Sequence, residues 1–217
     1  MTWIWLGLVC YAIGSLPTAY LFTRYILGQD IRDIGDNNSG AANVFRNVGA
    51  KAGVAVGAID IIKGSVVIVL AKVLVDDTGM GMMAGAAALV GHNFPVHLKF
   101  RGGRGAATAV GVLIASVPIV GLPIGVFCLV LLYFTHKATY PLAVFLVAIP
   151  ALTWPAGYSV SLEIYAVAMP MAVGLSHFFT TRVLNPGAGY KSWDTSQSAR
   201  FLITPGLHRW FLRPIIR

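Results

Sequence analysis

Long apolar runs separated by short polar ones organise this chain of 217 residues. A helix needs about 20 mainly apolar residues to cross a hydrocarbon core of about 30 Å. Runs of that kind lie at roughly 3–27, 52–75, 79–98, 141–157 and 160–181, and a longer one from 105 to 135 contains Pro118 and Pro123. As one helix that longer run would measure about 45 Å at about 1.5 Å per residue, too much for a single crossing. Broken near Pro118, it becomes two short crossings, 105–117 and 119–135.

Positive charge chooses between one crossing and two. With two, the polar segments 28–51, 99–104 and 136–140 and the tail 182–217 share a face. Fourteen of the sixteen Lys and Arg residues then lie on it and none on the other, because Lys63 and Lys72 fall inside a span. With one crossing the fourteen split seven and seven. Cytoplasmic loops are the ones enriched in Lys and Arg. The pattern therefore predicts an all-α integral membrane protein with seven transmembrane helices, the N-terminus outside and the C-terminus cytoplasmic, forming one domain over 1–217 with a basic tail.

Composition agrees. The chain is 57% hydrophobic and 11% charged, with a mean hydropathy of +0.74, whereas soluble domains are about 25% charged. The formal charge of +8 is spread over loops and tail, with no basic run interleaved with aromatics, so nucleic acid is not an expected partner. Membrane lipids and phosphorylated small molecules are. Residues 3–14 follow no cation and precede no small-residue cleavage site, so they are expected to open the first span and not to form a leader. Cys10 and Cys128 sit within apolar stretches and read as small hydrophobes, not as a metal pair.

The unusual chemistry is in the polar segments. IRDIGDNNSGAANVFRNVGAKAG, residues 31–53, places Arg46 just ahead of a helix start, where unpaired amides and a guanidinium suit an anion. In HNFPVHLKFRGGRGAAT, residues 92–108, a helix is expected to begin near Gly105. Gly102, Gly103 and Gly105 would let backbone amides approach an oxyanion, with Arg101 and Arg104 supplying charge and Lys99 serving as an interfacial anchor. Asp60 and Lys63 are three apart in one span and can pair on one helical face. His92 and His177 close the third and seventh spans, where a histidine can hydrogen-bond phosphate or move a proton. No Walker loop, nucleophile elbow or metal cluster is present in the sequence.

GSLPTAYLFTR (14–24), GDNNSGAANVFRNVG (35–49), DIIKG (60–64) and GHNFPVHLKFRGGRGAAT (91–108) closely resemble, in order and spacing, the bacterial acyl-phosphate:glycerol-3-phosphate acyltransferases, the PlsY family. The resemblance implies seven spans in the bacterial plasma membrane with a cytoplasmic active site. It also implies transfer of a fatty acyl group from acyl phosphate to the 1-hydroxyl of glycerol 3-phosphate, giving lysophosphatidic acid with no cofactor and no protein nucleophile. On this resemblance Asn38, Asn43 and Arg46 belong to a loop that grips phosphate, and Arg104 stands where the family has lysine. Asp36 replaces serine, Ala42 replaces threonine, and HFFT at 177–180 replaces His-Arg-x-Asn. The expected catalytic groups are Arg46, His92 and His177. Asp36, Asn38, Gly40, Asn43, Lys63, Arg101, Gly102, Gly103, Arg104 and Gly105 are expected around the substrate phosphates. The departures leave two alternatives, a transporter or binding protein for a phosphorylated metabolite, and an enzyme with another acceptor.

The charge count predicts an outcome for labelling. In a background lacking Cys10 and Cys128, single cysteines at Thr78 and Ser159 react with an impermeant thiol reagent added outside intact cells, and one at Asn47 does not. Labelling at 47 would overturn the arrangement.

Overall fold

The computed structural model describes residues 2–135 and 137–180, and the basic tail expected over 182–217 lies outside them. All regular structure among the described residues is helical. In chain order the helices are α1 (Thr2–Gly14), α2 (Thr18–Leu27), α3 (Ala41–Asn47), α4 (Ala50–Leu74), α5 (Thr78–Asn93), α6 (Ala106–Ser116), α7 (Pro118–Thr135), α8 (Thr139–Thr153) and α9 (Val160–Phe178). Short 3-10 turns at Ile31–Asp33 and Val96–Leu98 shape the two long polar segments.

Four segments are long and apolar enough to cross a membrane: Trp3–Leu27, Ala50–Leu74, Pro118–Thr135 and Val160–Phe178. The first is not one straight helix, as the apolar pattern alone suggests. Pro17 has no N–H to donate and ends α1 at a break before α2. The run from 105 to 135 is two helices meeting at Val117, with Pro118 as the first residue of α7, a position proline favours. At 11 residues, α6 is only about 16 Å long. The α-helix of the third apolar run ends at Asn93, five residues short of the expected 98, because Pro95 cannot continue the ladder, and a 3-10 turn follows.

Large apolar side chains, Ile4, Trp5, Val73, Ile119 and Val147 among them, cover the outside, as they do where lipid is the solvent. Helices meet through small residues instead. A Cβ on Gly64 would strike the Thr108 carbonyl, and one on Gly111 the Ile61 carbonyl, so α4 and α6 approach at backbone distance. Further along, Lys72 Nζ donates to the Ala115 carbonyl at 2.8 Å, so these two helices run in the same sense.

The first polar segment is a folded element with a core of its own. Ile31, Val44, Ala19 and Val56 bury one another between the segment, α2 and α4. Arg32 staples it to the second segment. Its Nη2 meets Asp30 Oδ2 at 2.6 Å, its Nη1 donates to the Leu98 carbonyl at 2.8 Å, and its guanidinium lies 5.7 Å from the Tyr20 ring centroid. The hydrogen bond from Arg32 holds the Asp30 carboxyl below its usual range, and the same bond raises Arg32.

A lowered folded-state Asp30 pKa means that the pair stabilises the fold above the unfolded value and that this contribution is lost as pH falls through the folded value. Asp30→Asn is therefore expected to lower stability at pH 7 by at most about 1 kcal/mol, with the unfolding temperatures of variant and wild type converging only below about pH 4. A difference that persists unchanged at pH 3 would contradict the assignment.

Candidate functional site

Asn43 shapes the loop that carries Arg46. The carbonyls of Ile31, Ile34 and Asn38 share its Nδ2 at 3.2, 2.9 and 2.9 Å, and its Oδ1 accepts from Asn47 at 2.7 Å. The side chain is wholly buried. Its amide is thus committed to the loop, not offered to a phosphate as the sequence suggested, and Arg46 projects from the same helix one turn later. Asn38 is also buried, its Oδ1 without a hydrogen-bond partner among the described residues, beside Gly40 where α3 begins.

The glycine-rich segment is arranged differently from the expected amide cradle. Gly102 N–H donates to the Asn93 carbonyl at 3.0 Å and Gly103 N–H to the His92 carbonyl at 3.1 Å, capping the end of α5. A Cβ on Gly102 would strike the His92 carbonyl, and one on Gly103 the His92 ring. These two glycines are required because the strand of chain lies flat on α5, and their amides are already used there. Gly105 has φ 77°, a left-handed conformation that glycine adopts without strain, and it turns the chain into α6. Between these fixed points Arg104 is directed inward, whereas Lys99 and Arg101 are exposed.

Arg46 and Arg104 meet on one atom. Arg46 Nη2 lies 3.0 Å and Arg104 Nη1 3.2 Å from Asp36 Oδ2. Arg104 Nε also donates to Thr180 Oγ1 at 3.2 Å, while that hydroxyl donates to the Ser176 carbonyl at 2.6 Å. Side-chain exposures of 20%, 15% and 9% for Arg46, Arg104 and Asp36 put the cluster where charge interactions are weakly screened. Three residues noted as departures from the family pattern, Asp36, Arg104 and Thr180, are therefore neighbours. A guanidinium has donors for both an aspartate and a threonine, which a lysine point charge on the same stem cannot serve in one plane. His177 is one turn before Thr180, at the exposed end of α9.

Lys63 is remote in role from this cluster. Its Nζ lies 2.9 Å from Asp60 Oδ1 and 3.2 Å from the Leu16 carbonyl, with only 4% of the side chain exposed. Thr18 Oγ1 donates to the same Asp60 oxygen at 2.6 Å. His92 Nδ1 is 3.8 Å from that oxygen and 3.1 Å from Thr108 Oγ1. The pair that Asp60 and Lys63 were expected to form exists, and it pins the break between α1 and α2 to α4, α5 and α6. Neither Lys63 nor His92 is presented to solvent.

Two guanidinium groups gathered around one carboxylate are an arrangement suited to holding a phosphate. Among the described residues no group of three or more His, Cys, Asp or Glu side chains gathers to hold a metal ion. Asp36 and Thr180, which hold Arg104, could not have been assigned that work from sequence, since their spacing carries no periodic or motif signal. The Arg32 staple was missed for the same reason.

Comparison with known proteins follows the same lines. A family model described as glycerol-3-phosphate acyltransferase matches residues 4–184. A glycerol-3-phosphate acyltransferase of Thermoanaerobacter sp. is 42% identical over 151 residues, 68% of this chain and 76% of the relative. Glycerol-3-phosphate acyltransferase 4 of Dehalococcoides mccartyi is 41% identical over 181 residues, 81% of this chain and 95% of its own length. The crystal structure of PlsY (YgiH), an integral membrane glycerol 3-phosphate acyltransferase, in its glycerol 3-phosphate form matches with a TM-score of 0.76 at 26% identity, covering 92% of this chain and 99% of that one.

Proposed function

We propose, because this chain belongs to the glycerol-3-phosphate acyltransferase family, a specific donor, product and division of labour for its reaction. The protein is a membrane glycerol-3-phosphate acyltransferase. The donor in this reading is an acyl phosphate and the product lysophosphatidic acid. The 1-hydroxyl of glycerol 3-phosphate attacks the acyl carbonyl, the bond from that carbon to the phosphate oxygen breaks, and inorganic phosphate departs with the electron pair. The hydroxyl proton ends on the released phosphate, so no covalent enzyme intermediate is needed.

The observation that carries this reading is the convergence of Arg46 and Arg104 on Asp36. An acyl phosphate is already activated, so catalysis reduces to holding two phosphate-bearing molecules in line and stabilising developing negative charge. Arg46 and Arg104 supply that stabilisation, with the exposed His177 beside them. Asn43, Lys63, His92 and the glycines at 102 and 103 keep the loops in place. A transporter reading gains nothing from the family match, which runs through both polar segments.

In the same reading the chain is one domain of seven crossings with its site at the cytoplasmic face of the bacterial plasma membrane. The spread of cations supports this, since seven crossings gather fourteen of them on one side whereas six would split them seven and seven. The common direction of α4 and α6 agrees with one return through α5 between them.

The test is direct. Purified protein in lipid, given glycerol 3-phosphate, is expected to form lysophosphatidic acid from acyl phosphate and not from an acyl thioester, which carries no phosphate next to its carbonyl. Equal turnover of both donors would sink the donor assignment. Arg104→Ala is expected to lower kcat/KM by about 10- to 150-fold, and Lys99→Ala to change it little. Arg104→Lys recovers only part, because one ammonium cannot reproduce the fork between Asp36 and Thr180.

A further inference from the structure

The turn beyond the end of α5 presents large apolar side chains to the outside. Phe94, Val96 and Phe100 are 46%, 58% and 60% exposed, although Leu98 between them is buried. The backbone of this turn is tied down at several points. Tyr11 Oη donates to the Phe94 carbonyl at 2.7 Å and Arg32 Nη1 to the Leu98 carbonyl at 2.8 Å. The Leu98 and Phe100 amides both donate to the Pro95 carbonyl, at 3.1 and 3.0 Å. Lys99 and Phe100 have φ of 56° and 60°, a left-handed conformation that bulky residues seldom adopt. Outliers of this kind cluster at functional sites.

The charge around the apolar tips is of one sign. Lys99 and Arg101 are exposed on the same turn, and the chain has no Asp or Glu from Thr78 to Leu162. Asp30, the acid that feels Arg101 from the first polar segment, is engaged by Arg32 at 2.6 Å. In the seven-crossing arrangement the segment 136–140 lies on the same side and repeats the combination, with Lys137 Nζ 5.7 Å from the Tyr140 ring centroid. Apolar tips ringed by cations match a surface that is hydrocarbon below and anionic above. The turn follows a helix of a membrane protein directly, so lipid is the partner within its reach.

We propose that residues 94–101 form a lipid-docking turn whose partner is the anionic phospholipid of the adjoining leaflet. Phe94, Val96 and Phe100 enter among the upper acyl carbons, and Lys99 and Arg101 meet the headgroup phosphates. Docking fixes the depth of the segment that continues through Gly102 and Gly103 to Arg104, and so holds the polar segments at the headgroup layer. It does not depend on which acyl donor the protein uses.

The test uses the full chain lacking Cys10 and Cys128, with Phe100→Cys carrying bimane, in bilayers of phosphatidylcholine alone or with phosphatidylglycerol. Asn47→Cys, at an exposed position of the first polar segment, is the reference, and Val96→Cys replaces Phe100→Cys if that variant does not fold. In the anionic bilayer, bimane at 100 is expected to be quenched by a nitroxide on the upper acyl chain and shielded from aqueous acrylamide. Bimane at 47 is expected to behave in the opposite way. A cation beside an anionic leaflet is worth about fivefold in partitioning, so adding Lys99→Glu is expected to lower the docked-to-free ratio by about fivefold or more there, and by less than about twofold in the neutral bilayer. Acrylamide quenching at 100 equal to that at 47 in both bilayers would show a surface for a soluble partner and overturn the proposal. Shielding that is identical in the two bilayers and indifferent to Lys99→Glu overturns it as well, because apolar burial alone would then hold the turn.

Discussion

Two arginines more than fifty residues apart in the chain share one carboxylate oxygen, and the loops on that side of the molecule are built to make this possible. Bringing two guanidinium groups together costs Coulomb energy that falls off slowly in a poorly hydrated site. Asp36 offsets it, with contacts of 3.0 and 3.2 Å. Each partner is then fixed from its own side. Arg46 is fixed by a short helix whose loop closes around the buried amide of Asn43, and Arg104 by a glycine-rich segment laid against the end of α5. The two segments are further joined by Arg32, which spans from Asp30 to the Leu98 carbonyl.

Beneath these loops lies a second polar assembly with a different purpose. Asp60, Lys63, Thr18, Thr108 and His92 are buried among helices, where an unpaired charge would be expensive. Their mutual contacts make them tolerable, and the same contacts lock the α1–α2 break to α4, α5 and α6. Gly64 and Gly111 bring α4 and α6 close enough for Asp60 and Thr108 to share neighbours. Helix packing by small residues and the buried pair therefore act together, and the loops inherit their positions from both.

How much of this the sequence discloses depends on the kind of signal. Apolar run lengths locate helices well, and prolines mark the interruption at Val117 and, less obviously, that at Pro17. The composition of residues 92–108 marks a specialised loop. It does not say where the amides of Gly102 and Gly103 point. A glycine pair that permits close approach to an anion equally permits close approach to a helix end, and here it does the latter. Lys63 and Asn43 carry groups capable of binding phosphate, and burial assigns Lys63 to Asp60 and the Leu16 carbonyl and Asn43 to three carbonyls of its own loop. Asp36 reads in isolation as a charge that should repel a phosphate. Its role becomes legible only when Arg46 and Arg104 are seen on the same oxygen, a contact between segments that no local spacing encodes. Thr180 is similar: its meaning depends on an arginine 76 residues away.

The central claim is that Arg46 and Arg104 act as one unit through Asp36. A double-mutant cycle on kcat/KM for glycerol 3-phosphate, using Arg46→Ala, Arg104→Ala and the pair, tests it most directly. The shared oxygen predicts a coupling energy of about 1 kcal/mol or more, the second substitution removing much less than the first. Losses that add to within about 0.3–0.5 kcal/mol would show two independent sites and contradict the account.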